Sequence, residues 1–192
     1  MYRLVYGLLL LFIACSENTE PINAIRYFDN PSWFKQELAR KKAVNPLVNK
    51  HLKVEDDTSS LYLQSVSWEK ELEVFSEIDL NKAIYSGKFK VDTLMISSTT
   101  GPLEQISYLS LDADLNIRKY IVVKQGAKVN KIQAELEQHS PLMRSKIYWT
   151  YLPDSGYSLK GEQEMKSLRR NRFEVIAGFV HKESLDEVNL PQ

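Results

Sequence analysis

The amino-acid sequence predicts an α+β fold, in which N-terminal helices pack on a twisted antiparallel meander sheet of about six to seven strands. Two observations carry this prediction. Helical periodicity is confined to the first part of the chain, and from Tyr85 onward short runs of branched and aromatic residues alternate with turn signals. The 192 residues and the hydrophobic content of 43% suffice for one well-buried core.

The first helix is predicted between Asn30-Pro31 and Asn45-Pro46. Asparagine is a favoured N-cap, and proline fits the first helical position because its missing N–H would have no partner there. Phe34 and Leu38 share one face of this helix, with Trp33 beside them. We therefore expect that face to be buried against the sheet.

The next segments predict a hairpin and a second helix. LVNKHLKV and SLYLQSV flank Glu55-Asp56-Asp57 and are compatible with two paired strands. Ser67 is placed to cap the helix WEKELEVFSEID, whose apolar stripe is Trp68, Leu72 and Phe75. Glu69, Glu73 and Glu77 form a second stripe. It is either a carboxylate site or a solvated face, and without a facing histidine the solvated face is favoured.

Seven strands are predicted in the rest of the chain. They are Phe89–Ser97, Gln105–Asp112, Ile117–Lys124, Lys128–Leu136, Lys146–Leu152, Tyr157–Glu164 and Phe173–His181. Turn residues such as Gln125-Gly126 and Pro153-Asp154-Ser155-Gly156 separate most of them. Short connections force neighbouring strands to be antiparallel.

The amino terminus has the layout of a secretory signal. Arg3 precedes an uncharged apolar run from Leu4 to Ala14, and the polar sequence from Ser16 onward ends it. The run is too short to span a membrane, which takes roughly 20 apolar residues. It leads directly into Cys15, the only cysteine in the chain.

The four residues FIAC, Phe12 to Cys15, resemble a bacterial lipobox, although Phe12 stands where leucine is usual. The resemblance implies cleavage between Ala14 and Cys15 and attachment of acyl chains such as palmitate to Cys15. Two or more chains would anchor the protein stably, since each buried methylene contributes about 0.8 kcal/mol. Ser16 is not the aspartate that retains such lipoproteins in the inner membrane, so the resemblance implies the outer membrane, with a periplasmic or a surface-facing orientation.

These patterns divide the chain into three parts. Residues 1–14 are the predicted lipoprotein signal peptide, residues 15–28 the lipidated N-terminus and its flexible tether, and residues 29–192 a single globular domain.

Two further motifs resemble a group of small bacterial lipoproteins that has no assigned activity. The group shares a Trp-x-x-Glu-Leu-x-x-Phe helix with an Asp-x-Asn-Lys end, and a late Tyr-x-x-x-Gly-x-Gln strand. The matching residues here are Trp68, Glu71, Leu72, Phe75, Asp79, Asn81, Lys82, Tyr157, Gly161 and Gln163. The resemblance implies location and fold only.

Catalytic and cofactor motifs are missing from the sequence, and no cofactor or metal site is predicted. There is no Gly-x-Ser-x-Gly and no phosphate-binding glycine loop, and His51, His139 and His181 are far apart. Asp112, Asp114 and Asn116 match the start of a calcium loop, but its glycine and its final carboxylate are lacking, which favours an ordinary turn. Equal numbers of basic and acidic residues, 25 each, argue against a nucleic-acid partner.

The segment IYWTYL is the candidate for ligand or partner binding. Alternation places Trp149 and Tyr151 on one face of the strand and Tyr148 on the other. Exposed aromatic side chains bind sugars, lipids or peptides, and buried ones pack the core. Tyr148, Trp149 and Tyr151 are therefore the candidate binding residues.

The sequence thus predicts a membrane-anchored lipoprotein that is not an enzyme and that binds an envelope protein or a hydrophobic ligand. Two alternatives stay open. One is a lipid carrier similar to the lipoprotein-localisation type, on fold analogy alone. The other is a hydrolase that uses carboxylates such as Asp79 or Glu162.

Overall fold

A computed structural model of the protein describes residues 26–166 and 170–180. In chain order its elements are α1 (Asn30–Val44), β1 (Leu47–Val54), β2 (Asp57–Leu63), α2 (Trp68–Ser76), a short 3₁₀ helix (Ala83–Tyr85), β3 (Phe89–Ile96), β4 (Leu103–Ser110), β5 (Ile117–Gln125), β6 (Lys128–His139), β7 (Met143–Leu152), β8 (Gly156–Met165) and β9 (Asn171–Val180). The predicted signal peptide and the lipidated Cys15 lie outside the described residues.

The strands form one antiparallel sheet in the order β2-β1-β9-β8-β7-β6-β5-β4-β3. Strands β3 to β9 are the predicted meander. The predicted number of six to seven strands is too low, because β1 pairs with β9 and carries β2 with it into the same sheet. The predicted architecture of helices on an antiparallel sheet is confirmed, with nine strands.

Helix α1 begins differently from the prediction. Asp29 is the N-cap, and its carboxylate accepts a hydrogen bond of 3.1 Å from the backbone N–H of Ser32. Asn30 is instead the first helical residue and is fully buried. The helix ends at Val44, and Asn45 after it adopts the left-handed conformation often seen at this position.

Helix α2 packs beside α1 near this end. Ser67 is its N-cap residue, but the Ser67 side chain makes no capping hydrogen bond. The indole N–H of Trp68 donates to the Asn45 side chain over 3.2 Å. This contact joins the end of α1 to the start of α2.

The inner face of the sheet is filled by these helices. Phe34 of α1 and Phe75 of α2 have ring centroids 6.1 Å apart, and the Phe75 ring lies 5.1 Å from that of Trp149. The largest fully buried side chains include Trp149, Tyr120, Tyr151, Phe34 and Phe75. Aromatic side chains from helices and strands therefore occupy the space between the two layers.

The segment before α1 also belongs to the folded part. The Tyr27 ring packs edge-on against Phe89 and Tyr108, and the Phe28 N–H donates to the Tyr108 hydroxyl over 3.2 Å. Packing thus extends at least to Tyr27, two residues before the predicted domain boundary. No helix in the described residues is long and apolar enough to cross a membrane.

Candidate functional site

The three predicted binding residues are divided between the two faces of β7. Trp149 and Tyr151 point inward and are buried in the core. Tyr148 points outward and is 44% exposed. Of the three, Tyr148 alone is accessible to a partner, so the site is built around it.

Tyr148 borders an open groove of about 470 Å³ on the outer face of the sheet. The register of the strands explains how it forms. Tyr148 of β7 lies opposite Lys160 of β8, which lies opposite Glu174 of β9, which lies opposite Lys53 of β1. Four strands thus contribute one row of outward side chains.

A second row runs beside the first, two residues along each strand. Lys146 of β7 lies opposite Glu162 of β8, and Glu162 lies opposite Arg172 of β9. The turn between β1 and β2, Glu55 and Asp56, closes the end of the groove. The walls therefore carry cations and carboxylates in alternation, with one aromatic ring.

Some of these charges are paired and others are not. Lys160 Nζ lies 2.7 Å from Glu174, whereas Arg172 Nε lies 4.0 Å from Glu162, the limit of an ion pair. Within residues 26–166 and 170–180, Lys53 and Asp56 form no salt bridge. The groove therefore offers a cation and a carboxylate that are open to a ligand.

Lys146 is held against the aromatic ring. Its Nζ lies 5.2 Å from the centre of the Tyr148 ring and 3.2 Å from a carboxylate oxygen of Glu135. The Tyr148 hydroxyl and then the Glu135 carboxylate raise the pKa of Lys146 above its ordinary value. Lys146 thus places a cation beside the Tyr148 ring.

Glu55 has an unusual backbone conformation for its residue type. Its φ of 51° lies in the left-handed region, where glycine, asparagine and aspartate are the usual residues. Its carboxylate accepts a hydrogen bond from the Arg172 backbone N–H, and its own N–H donates to the Arg172 carbonyl over 3.0 Å. The turn is thereby fixed to β9 at the end of the groove.

The carboxylates proposed for a hydrolase are not brought together. Asp79 accepts a hydrogen bond from the Asn81 N–H and stabilises a turn after α2. Glu162 lies on the outer face of β8, beside Lys146 and Arg172.

The glutamate stripe on α2 is a solvated face. Glu69, Glu73 and Glu77 are exposed, and Glu69 pairs with Lys42. Glu71 lies on another face of this helix and accepts hydrogen bonds from Lys50 and from the Tyr157 hydroxyl. Burial, and then the neighbouring Glu71, raise the pKa of Tyr157.

The remaining polar candidates have structural partners. His51 contacts the Ser60 hydroxyl at 2.8 Å, His139 contacts Glu137 at 3.0 Å, and His181 lies outside the described residues. Asp112 pairs with Lys88 and accepts from the Asp114 N–H, as in an ordinary turn. The described part of the chain contains no group of three histidine, cysteine or acidic residues placed to hold a metal ion.

Residues of the two motifs that were predicted to resemble a lipoprotein group have structural roles here. Glu71 binds Tyr157, Leu72 and Phe75 enter the core, and Asn81 exchanges hydrogen bonds with the backbone of Tyr27. Gly161 lies under the ring of Phe173, which leaves no room for a side chain. These residues therefore contribute to the fold.

A second cavity of about 370 Å³ lies beside helix α1 and the turn between β7 and β8. Its charged groups are already paired. Arg40 binds both Glu37 and Asp154, and Lys128 binds Asp154 over 2.9 Å. Because these charged groups pair with one another, the cavity offers a ligand fewer unpaired charges than the groove does.

Sequence reasoning identified Tyr148 but missed Lys53, Glu55 and Arg172. Lys53 stands in a predicted strand and Glu55 in the predicted turn after it, whereas Arg172 directly precedes the predicted strand Phe173–His181. The pairing of β1 with β9 joins residues more than a hundred positions apart and leaves no local signal. The groove therefore forms because of the order in which the strands pair in the sheet.

In comparisons with known proteins, no family model, no curated protein and no solved structure matches the chain.

Proposed function

We propose that this protein is a non-catalytic bacterial lipoprotein that is anchored through acylated Cys15 and binds an envelope protein through the groove around Tyr148. The observation that carries the binding role is the exposed ring of Tyr148 in one row with Lys53, whose ammonium group has no salt-bridge partner among the described residues. Tyrosine is enriched at the centres of protein interfaces, and charges around such a centre select a partner by complementarity.

A protein partner suits the groove better than a hydrophobic ligand. The groove walls alternate in charge, so a partner with complementary charges would be selected by its pattern. The space under the sheet, where an apolar ligand would lie in a lipid carrier, is filled by Phe34, Phe75 and Trp149. These contacts support the envelope-protein proposal over the carrier alternative.

The proposal is tested by site-specific photocrosslinking in intact cells. A benzophenone amino acid replaces Tyr148 in one strain and Tyr62 in a second. Tyr62 is a matched control because it is 51% exposed and lies on strand β2, away from the groove. We expect a discrete crosslinked partner from position 148 and none from position 62.

Charge reversal then links the partner to the groove. Lys53→Glu should lower the yield of the crosslinked partner, because Lys53 has no compensating acid to release. Lys131→Glu is the control, since Lys131 lies on β6 and does not line the groove. Equal products from positions 148 and 62, or equal effects of the two charge reversals, would contradict the proposal.

The anchor is tested independently of the groove. Cys15→Ala should abolish incorporation of radiolabelled palmitate, because this residue carries the only thiol in the chain. Persistent labelling of the Cys15→Ala chain would exclude acylation at this position.

A further inference from the structure

The three most exposed large apolar side chains of the described residues lie along one edge of the sheet. Strands β4, β6 and β8 end at this edge and β5, β7 and β9 begin there, because successive strands of a meander reverse direction. We call it the tether edge. The turn after β4 holds Leu111, the turn after β6 holds Leu142, and the 3₁₀ helix beside them holds Ile84.

Hydrogen bonds hold the 3₁₀ helix and the residues after it against the segment between β4 and β5. The Leu111 N–H donates to the Lys88 carbonyl over 2.9 Å, and the Tyr85 hydroxyl donates to the Asn116 side chain over 2.9 Å. Leu111, Leu142 and Ile84 are 67%, 72% and 63% exposed, the three highest values for large apolar residues in the described ranges. Met165, the last residue of β8, lies beside Leu142 and is also exposed.

The chain enters the folded part at this same edge. The Tyr27 N–H donates to the Asn81 side chain over 2.8 Å, and the Tyr27 ring packs on Phe89, the first residue of β3. The eleven residues from Cys15 to Ile25 span at most about 40 Å. An anchor at Cys15 would therefore keep the point where the chain enters this edge within about 40 Å of the membrane.

The charges around Leu142 favour an anionic surface. Arg144 and Lys166 line the cleft beside Leu142 and form no salt bridge with the described residues. The nearby acid, Glu164, lies 3.6 Å from Arg170. Exposed apolar side chains flanked by unpaired cations are what proteins place against a lipid headgroup layer.

We infer that the tether edge lies against the bilayer, with Ile84, Leu111 and Leu142 inserted among the headgroups and Arg144 and Lys166 bound to anionic phospholipid. This inference rests on the proposed lipid anchor and goes beyond it, because it assigns the domain one orientation on the membrane. The anchor supplies a high effective concentration, so that weak edge contacts suffice to hold this orientation.

The test places a polarity-sensitive fluorophore on single cysteines of the acylated full chain. Because Cys15 is the only natural cysteine and its sulfur is acylated, an introduced thiol is the only one labelled. Leu111→Cys and Leu142→Cys report on the tether edge. Met95→Cys is the matched control, because Met95 is 62% exposed but lies near the opposite end of β3, about 20 Å from Phe89.

The labelled chains are incorporated into vesicles of phosphatidylethanolamine and phosphatidylglycerol that contain a spin-labelled lipid quencher. We expect several-fold stronger quenching at positions 111 and 142 than at position 95. Replacing phosphatidylglycerol by phosphatidylcholine should reduce this difference, and so should the double variant Arg144→Glu with Lys166→Glu.

Two other outcomes would overturn the inference and are distinguishable. A membrane-bound chain with equal quenching at positions 111, 142 and 95 keeps the anchor but has no preferred orientation. A chain that stays in solution without incorporation into vesicles lacks the anchor as well, and the proposed function then fails with the inference.

Discussion

Glu37 and Tyr151 are joined by a buried hydrogen bond that fixes helix α1 to strand β7. The Tyr151 hydroxyl donates to Glu37 Oε1 over 2.7 Å, and Arg40 donates to both oxygens of the same carboxylate at 2.7 and 2.8 Å. The Glu37 carboxylate is removed from water, so these donors replace its hydration. The helix is thus held on the sheet by a directed polar contact as well as by aromatic packing.

Tyr151→Phe should destabilise the protein by about 2 kcal/mol, because it removes a hydrogen bond to a buried charged group while keeping the ring. Tyr148→Phe is the matched control on the same strand and should change the free energy of unfolding by less than about 0.5 kcal/mol. Urea unfolding followed by tryptophan fluorescence measures both. Similar effects of the two variants would show that the Glu37 contact contributes nothing to stability.

Lys41 should make the stability of the protein depend on pH. It is buried, its Nζ donates to the Pro153 carbonyl over 2.8 Å, and it lies 3.8 Å from Glu37 Oε1 and 3.5 Å from the centre of the Phe179 ring. Burial lowers the pKa of Lys41 from 10.5 to about 8, against the opposing attraction of Glu37. Between these values the unfolded chain binds a proton at Lys41 that the folded chain has released.

Because the unfolded state binds more protons in that window, the free energy of unfolding should rise by about 1 kcal/mol between pH 8 and pH 9. Burial raises the pKa of several tyrosines, including Tyr151 and Tyr157, and their opposing contribution grows from about pH 9, where the unfolded chain begins to lose those protons. Lys41→Met should remove most of the rise and leave stability at pH 7 unchanged or higher, since Arg40 still binds Glu37 and the Pro153 carbonyl. Urea unfolding from pH 7 to 10 measures how the free energy of unfolding changes with pH. An equal slope in the original protein and in Lys41→Met would show that groups other than Lys41 cause it.

Most of the strands were predicted correctly because the turn residues that bound them stand directly beside them in the sequence. The hairpin from β5 to β6 turns at Gly126, whose φ of 58° suits glycine, and the boundaries of β3 to β9 follow such turn residues within a few positions. Strand β2 is mostly exposed and polar, so its place in the sheet is decided by its neighbour β1. That neighbour joins the sheet through β9, a long-range pairing that sequence alternation does not encode.

Long-range contacts, which sequence alternation does not encode, also determine the candidate site and the polar core. Alternation correctly separated Tyr148 from Trp149 and Tyr151, but which face the helices cover is a tertiary property. Glu37 and Lys41 have the sequence appearance of solvated helix charges, yet both are buried against the turn after β7. Their burial follows from where α1 lies on the sheet.

Asn30 shows how a local rule was overridden. Its position before Pro31 predicts an N-cap, but its side chain donates to the carbonyls of Phe75 and Ile78 over 2.9 and 2.7 Å and accepts from the Tyr120 hydroxyl. These partners are far away in the chain, and no residue near Asn30 predicts them. Asp29 takes the capping role instead.

Asn30→Ala should therefore cost about 3 kcal/mol or more, because two buried carbonyls and a buried hydroxyl lose their partner together. Asp29→Ala, which removes only the exposed N-cap, should cost about 1 kcal/mol. Thermal and urea unfolding measure both variants. If Asp29→Ala proved the more harmful change, the assignment of the cap and of the core asparagine would be reversed.

Gly161 and Phe173 allow the sharpest test of packing in the sheet. They lie opposite each other on β8 and β9, and a Cβ atom at Gly161 would be 2.4 Å from the Phe173 ring. Gly161→Ala should therefore destabilise the protein by about 1–3 kcal/mol, since the ring has to move. Phe173→Leu combined with Gly161→Ala should cost less than the sum of the two single changes, because the smaller side chain relieves the clash.

Gly178→Ala is the matched control on β9, where an added Cβ meets no atom within 4 Å, and should change stability by less than about 0.5 kcal/mol. Additive single changes, or an equal loss at Gly178, would show that the ring of Phe173 does not dictate glycine at position 161.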